Sequence, residues 1–336
     1  MAKISVIGSG SWGTAIAILL AENKHDVTLW SYLSAECDDL IKHKENRPFL
    51  PGVPIPESIQ HTNHILNCVN ADIIVCVLPS FAVRAVMRQF APHVNSGQIV
   101  LNMSKGLETD SMLTLSAVLR EELPDCDISV MSGPSHAEEV ARKIPTTNVV
   151  ASGSQKIAEY IQDLFMNPFF RVYTNSDIIG VEIGGALKNT IALCAGISDG
   201  LGFGDNTKAA LMTRGLYEIT RLGVAMGANT ETLGGLSGMG DLIVTCTSMH
   251  SRNRRAGILI GQGKSSEEAQ KEVKMVVEGI GTCRAAKALS DKMSIEMPII
   301  NQAYAILFEG KSAKDATLSL MCREKRHESE AVFLQR

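Results

Sequence analysis

Aromatic side chains are scarce. They make up 5% of the 336 residues, too few for the stacking platforms that bind single-stranded nucleic acid. Excess positive charge is also missing: the formal net charge is -4, so no nucleic-acid partner is expected. The 8 cysteines never fall in a CxxC pair. They read as buried free thiols of a reducing, cytoplasmic protein, and no metal site is expected. No apolar run approaches the roughly 20 residues that a membrane-spanning helix needs, so integral membrane association is not expected. The first residues form a strand pattern rather than a basic stretch before an apolar one, so no signal peptide is expected. Hydrophobic residues at 45% and charged ones at 20% are ordinary globular values, and the length allows two domains.

The first half alternates short Val- and Ile-rich runs with helical stretches. Strands are predicted at Lys3–Ile7, Asp26–Trp30, Asp72–Leu78, Gln98–Met103, Asp127–Met131, Thr146–Ala151 and Phe170–Tyr173. A helix is predicted over Gly13–Asn23. This spacing predicts an α/β fold with a doubly wound parallel sheet of Rossmann type, covered on both faces. Arg47–Pro56 holds four prolines and reads as an irregular surface loop. After Asp177 no strand is predicted; helical patterns at Ile178–Ile197, Thr207–Met226, Ser251–Ile260, Ser265–Lys274, Gly279–Lys292 and Met297–Phe308 predict an all-helical C-terminal domain. The expected domains are therefore 1–177, for a dinucleotide, and 178–336, for substrate binding and catalysis.

The sequence SVIGSGSWGT at residues 5–14 places Gly8, Gly10 and Gly13 between a strand and a helix. In that setting Gly8-x-Gly10-x-x-Gly13 reads as a pyrophosphate cradle: a tight turn, a close backbone approach and a close helix–strand contact. The helix N-terminus adds free N–H groups and partial positive charge. An NAD site usually carries an acid at the end of the second strand, for the ribose hydroxyls. Here that strand ends Leu29-Trp30-Ser31-Tyr32, and the first acid beyond is Glu36. NADP is therefore expected somewhat over NAD, with Arg47 as a distant phosphate partner. Pro79-Ser80-Phe81 and Ser104-Lys105-Gly106 close two further strands and should face the cofactor.

Reducing a ketone with a nicotinamide needs a proton donor beside the carbonyl oxygen. Lys105 stands on a loop at the cofactor edge. Lys188 lies in a helix whose neighbouring positions, Val181, Gly184, Gly185, Ala192 and Ala195, are nearly all small. Such a face should leave room for a ligand, and desolvation should lower the lysine pKa toward neutrality. Asp241 and Thr245 follow within one short block. Next come Ser251, Arg252 and Asn253, where a helix starts with cations against its own dipole. That arrangement suits an anion such as a phosphate.

Six stretches together resemble the bacterial form of the NAD(P)-dependent glycerol-3-phosphate dehydrogenases: GSGSWGTA (8–15), SKGLE (104–108), SGPSHAEEV (132–140), VEIGGALKN (181–189), GMGDLIVTC (238–246) and SRNRR (251–255). VVEG (276–279) also matches. The resemblance implies reversible reduction of dihydroxyacetone phosphate to sn-glycerol 3-phosphate, feeding phospholipid synthesis in the cytoplasm, by a homodimer. It implies Lys188 as the proton donor and acceptor, with Lys105, Asp241 and Thr245 beside it. It implies Lys105, Gly133, Ser135, Lys188, Asp241, Ser251, Arg252 and Asn253 at the substrate. It implies Gly8, Gly10, Ser11, Trp12, Gly13, Tyr32, Lys105, Ala137, Arg252, Val276 and Glu278 at the cofactor. The alternatives are another two-domain dehydrogenase acting on a β-hydroxyacid, or a non-catalytic NAD(P)H sensor.

Overall fold

In the computed structural model, which describes residues 1–325, 327 and 328, the chain runs through ten strands and then helices only. The strands are β1 (Lys3–Ile7), β2 (Asp26–Trp30), β3 (Glu45–Asn46), β4 (Leu50–Pro54), β5 (Gln60–Thr62), β6 (Ile73–Cys76), β7 (Ile99–Asn102), β8 (Asp127–Ser132), β9 (Thr146–Ala151) and β10 (Phe170–Asn175). Helices α1 (Ser11–Glu22), α2 (Ser34–His43), α3 (Val83–Met87), α4 (Leu115–Glu122), α5 (Ala137–Val140) and α6 (Gln155–Phe165) lie between them.

Eight strands form one sheet in the order β10-β9-β8-β7-β6-β1-β2-β5. The central strands are buried on both faces: Ile4, Val6, Ile73, Val75 and Leu101 meet one apolar cluster, and Ile7, Ile74, Cys76 and Val100 meet another. That double burial is why these runs read as continuously apolar rather than alternating. The order proceeds one way from β1 to β2 and β5, and the other way through β6, β7 and β8. A ligand crevice therefore opens at the carboxyl ends of β1 and β6.

Three expectations need correction. The sheet is not wholly parallel, because β9 runs antiparallel to β8 and β10 is parallel to β9. Arg47–Pro56 is not irregular throughout: Leu50–Pro54 pairs antiparallel with Glu45–Asn46, an edge pairing that tolerates proline. A helix long and apolar enough to cross a membrane does exist, Ile178–Gly200, but 83% of its most apolar window is buried inside the protein. It is a core helix.

That helix, α7 (Ile178–Gly200), is the axis of the second half. Around it stand α8 (Asp205–Ala225), α9 (Thr230–Leu233), α10 (Asp241–Thr247), α11 (Arg252–Gly261), α12 (Ser266–Val273), α13 (Glu278–Lys292), α14 (Pro298–Phe308) and α15 (Ala313–Met321). Helices α7 and α11 meet through glycines. A Cβ on Gly196 would lie 2.0 Å from the Arg254 carbonyl oxygen, and one on Gly257 would lie 2.1 Å from that of Leu193. The two backbones are therefore in direct contact, an approach that only small residues allow.

Candidate active site

Gly8 closes β1 with φ +118, and a Cβ there would lie 2.5 Å from the Val77 oxygen. Gly13, in the first turn of α1, packs so closely that a Cβ would sit 1.8 Å from the Gly8 oxygen. Gly10 caps α1, and a Cβ on it would meet nothing within 4 Å. The cap therefore presents bare backbone to open space at a helix N-terminus, which fits a pyrophosphate.

This loop walls a cavity of about 370 Å³ between the sheet and the helices. Of the residues named from sequence, Gly8, Gly10, Ser11, Trp12, Gly13, Tyr32, Lys105, Ser135, Ala137, Lys188, Thr245, Ser251, Arg252, Asn253, Val276 and Glu278 all line it. Gly133 and Asp241 do not. Both are buried behind the wall and act on the lysines from there.

Lys188 projects from α7 with only 5% of its surface exposed. Its Nζ donates to Asp241 Oδ1 at 2.6 Å and to Thr245 Oγ1 at 2.6 Å. Thr245 in turn donates to the Asp241 carbonyl at 2.6 Å. Lys105 Nζ donates to the other Asp241 oxygen at 2.6 Å and to the Gly133 carbonyl at 2.9 Å. One buried carboxylate thus holds two ammonium groups. Each lysine has a third N–H left for a ligand.

Burial lowers the Lys188 pKa to about 8, with Asp241 opposing the shift and Lys105 adding to it. Burial alone would raise Asp241, but the charges of Lys105 and Lys188 overcome it and hold the carboxyl below its ordinary value. Asp241 begins α10 just after a π-helical turn, Leu236–Gly240. Gly184 is the surface this turn rests on, since a Cβ there would lie 3.0 Å from Gly238 Cα. Gly185 makes space for Ser132 Oγ, which a Cβ would approach to 2.4 Å. The expectation that these glycines leave room for a ligand is therefore corrected: protein atoms fill the space.

Ser251 caps α11, accepting from the Arg254 amide at 3.2 Å. The three arginines after it divide. Arg254 pairs with Asp199 at 2.8 Å, whereas Arg252 lines the cavity and Arg255 does not. Burial lowers the Arg252 pKa, opposed by the carboxylates of Glu278 and Glu138. Asn253 donates to Asn189 Oδ1 at 3.0 Å and accepts from the Gly279 amide at 2.8 Å, joining α7, α11 and α13. Glu278 accepts from Ser80 twice, from its amide at 3.0 Å and its hydroxyl at 2.6 Å, and so bridges the sheet half to the helical half.

The cavity also takes in residues that sequence reading did not assign. Glu36, in the first turn of α2, lines it together with Phe49. Arg47 stands outside that wall and pairs with Asp39. His136 lines the cavity beside His250, with ring centroids 5.7 Å apart. Burial, and secondarily Lys188, lowers its pKa.

Two family models match the chain: the N-terminus of NAD-dependent glycerol-3-phosphate dehydrogenase over residues 3–158, and the C-terminus of the same family over residues 177–318. The chain belongs to the NAD-dependent glycerol-3-phosphate dehydrogenase family.

Glycerol-3-phosphate dehydrogenase [NAD(P)+] of Fusobacterium nucleatum is 53% identical over 98% of this chain and 99% of its own length. The Desulfitobacterium hafniense protein of the same name is 54% identical over 99% of this chain and 95% of its own. The crystal structure of glycerol-3-phosphate dehydrogenase from Coxiella burnetii superposes with a TM-score of 0.93 at 38% identity, covering 96% of this chain and 99% of that one. As a glycerol-3-phosphate dehydrogenase family member, the chain is an NAD(P)-dependent oxidoreductase acting on a CH–OH group, built from a Rossmann-like sheet and a helical C-terminal half.

Proposed function

We propose that this chain reduces dihydroxyacetone phosphate to sn-glycerol 3-phosphate reversibly, with Lys188 as the proton donor and acceptor. The observation that carries this reading is Asp241 holding Lys188 and Lys105 at 2.6 Å each, at the cavity that the glycine loop walls. The bare Gly10 cap and the Ser11–Gly13 turn suit the cofactor pyrophosphate. Tyr32, Ala137, Val276 and Glu278 complete its surroundings. NAD(P)H supplies the hydride when bound.

The residues of the chain do the rest. Lys188 donates a proton to the carbonyl oxygen as negative charge develops there, and Asp241 and Thr245 hold its ammonium in place. Lys105 contacts the same oxygen or its neighbour, held by the Gly133 carbonyl. Arg252 and the Ser251 cap take the phosphate, with Ser135 and Asn253 beside them. Binding energy from the non-reacting phosphate is thereby converted into orientation of the ketone. In the oxidative direction neutral Lys188 accepts the alcohol proton.

The test is to follow NADH and NADPH oxidation separately with dihydroxyacetone phosphate. Saturable turnover is expected. Cofactor binding without turnover would support the sensor reading instead. In the cell the product would supply glycerophospholipid synthesis in the cytoplasm. The working unit would be a homodimer, which light scattering checks.

A further inference from the structure

Lys105 and Lys188 stand on different halves of the chain, one on the loop after β7 and the other on α7. Asp241 joins their tips. A second connection joins their bases. Glu182, on α7 and 3% exposed, accepts from Asn102 Nδ2 at 3.3 Å and from the Ser116 amide at 2.8 Å. Asn102 is the last residue of β7 and is fully buried. Its amide grips the start of the lysine loop from both sides: Oδ1 accepts from the Ser104 amide at 3.1 Å, and Nδ2 donates to the Ser104 carbonyl at 3.3 Å.

Ser104 is itself pinned, its hydroxyl accepting from the Leu78 amide at 2.8 Å. On its far side the loop is enclosed as well. A Cβ on Gly106 would lie 2.7 Å from Ser80 Cβ and 3.1 Å from Glu278 Oε2. The Asn102–Glu182 contact ties the base of this loop directly to the Lys188 helix. Burial pushes the Glu182 carboxyl above its ordinary value, with the Ser116 bonds opposing the shift. A buried carboxyl costs free energy unless its hydrogen bonds are made, so the placement calls for a reason beyond packing.

We propose that Glu182, acting through Asn102 and the Ser104 turn, is a positioning residue that sets Lys105 relative to Lys188 for hydride transfer. It touches neither substrate nor cofactor. Its effect is on the registry between the two lysines, and a small misplacement of such groups is costly to turnover. The inference rests on the reduction reaction proposed above; turnover by the unaltered enzyme tests that reaction, and the variants are read only relative to it.

The experiment cuts the contact on the α7 side. In Glu182→Gln the side-chain oxygen still accepts from Asn102 and Ser116, so kcat should stay within about threefold of the unaltered enzyme. In Glu182→Met the acceptor is gone while Asn102 keeps both of its bonds to Ser104, and kcat should fall by more than about tenfold. Activity is normalised to cofactor sites counted by NADH fluorescence titration, and the cofactor Kd should move by less than about threefold throughout.

A Tm that falls in Glu182→Met while normalised kcat stays level would show a purely structural role and overturn the proposal. So would a normalised kcat that falls as far in Glu182→Gln, which keeps the acceptor, as in Glu182→Met. If Glu182→Met yields no folded protein, Glu182→Ala removes the same acceptor with less bulk and carries the same expected loss of kcat; an unchanged kcat there would likewise overturn the proposal.

Discussion

At the scale of single residues, the lysine pair carries the sharpest expectations. Lys188→Ala should lower kcat by about 10²–10⁴, while NADH affinity, read by fluorescence, stays near that of the unaltered enzyme. The direction of the pH dependence follows from the state required. Ketone reduction needs protonated Lys188, whose pKa burial lowers to about 8. Reductive kcat/KM should therefore be full below that pH and fall above it. Oxidation needs the neutral amine and should rise toward the same pH. Profiles measured in both directions that lack a transition near there would contradict the assignment. Arg252→Ala should raise KM for dihydroxyacetone phosphate about 10- to 100-fold, as expected for a lost charged hydrogen bond, with a smaller change in kcat. Glu36 supplies a carboxylate on the cavity wall that the end of the second strand lacks. Glu36→Gln should improve kcat/KM with NADPH relative to NADH by about fivefold, roughly 1 kcal/mol of relieved repulsion. An unchanged ratio would remove Glu36 from cofactor choice.

At the scale of elements, the contact between α7 and α11 makes the site vulnerable from outside it. Gly257→Ala would drive a Cβ into the Leu193 carbonyl and should cost about 1–3 kcal/mol. Thermal melting would register the loss. Because α11 carries Ser251 and Arg252 at its start, the KM for the phosphate substrate should rise as well. The same elements mark where sequence reading works and where it stops. Strands β6 and β7 were legible because double burial makes their runs almost continuously apolar, whereas β1, β2 and β8 mix polar residues among their Val, Ile, Leu and Met and were legible from that apolar content and its spacing. The reversal at β9 was not, since Thr146–Ala151 has the same composition whichever way it points. The β3–β4 pairing was hidden by prolines that only an edge strand accepts. In the site, motif spacing brought out residues whose neighbours are local in sequence, such as Asp241 with Thr245. Glu36 and Glu182 escaped because their roles depend on parts of the chain far away. The isolated carboxylate of Glu182 within an apolar helix was the signal available for it.

At the scale of the whole molecule, the cavity belongs to neither half alone. The sheet half contributes the glycine loop and Lys105, and the helical half contributes Lys188, Arg252 and Glu278. The bridge from Ser80 to Glu278 holds the halves together across the cofactor side. The glycine contact between α7 and α11 also sets a distance within the cavity wall. Lys188 rides on α7 and Arg252 on α11, and the two helices touch main chain to main chain. The spacing of the two helices that carry the proposed proton donor and the proposed anion site is therefore a ruler cut in backbone at the glycine contacts. A hydroxyketone phosphate with one more methylene between carbonyl and phosphate should be rejected by about 10- to 200-fold in kcat/KM. A competition assay against dihydroxyacetone phosphate would reveal equal use of the two if the ruler were elastic.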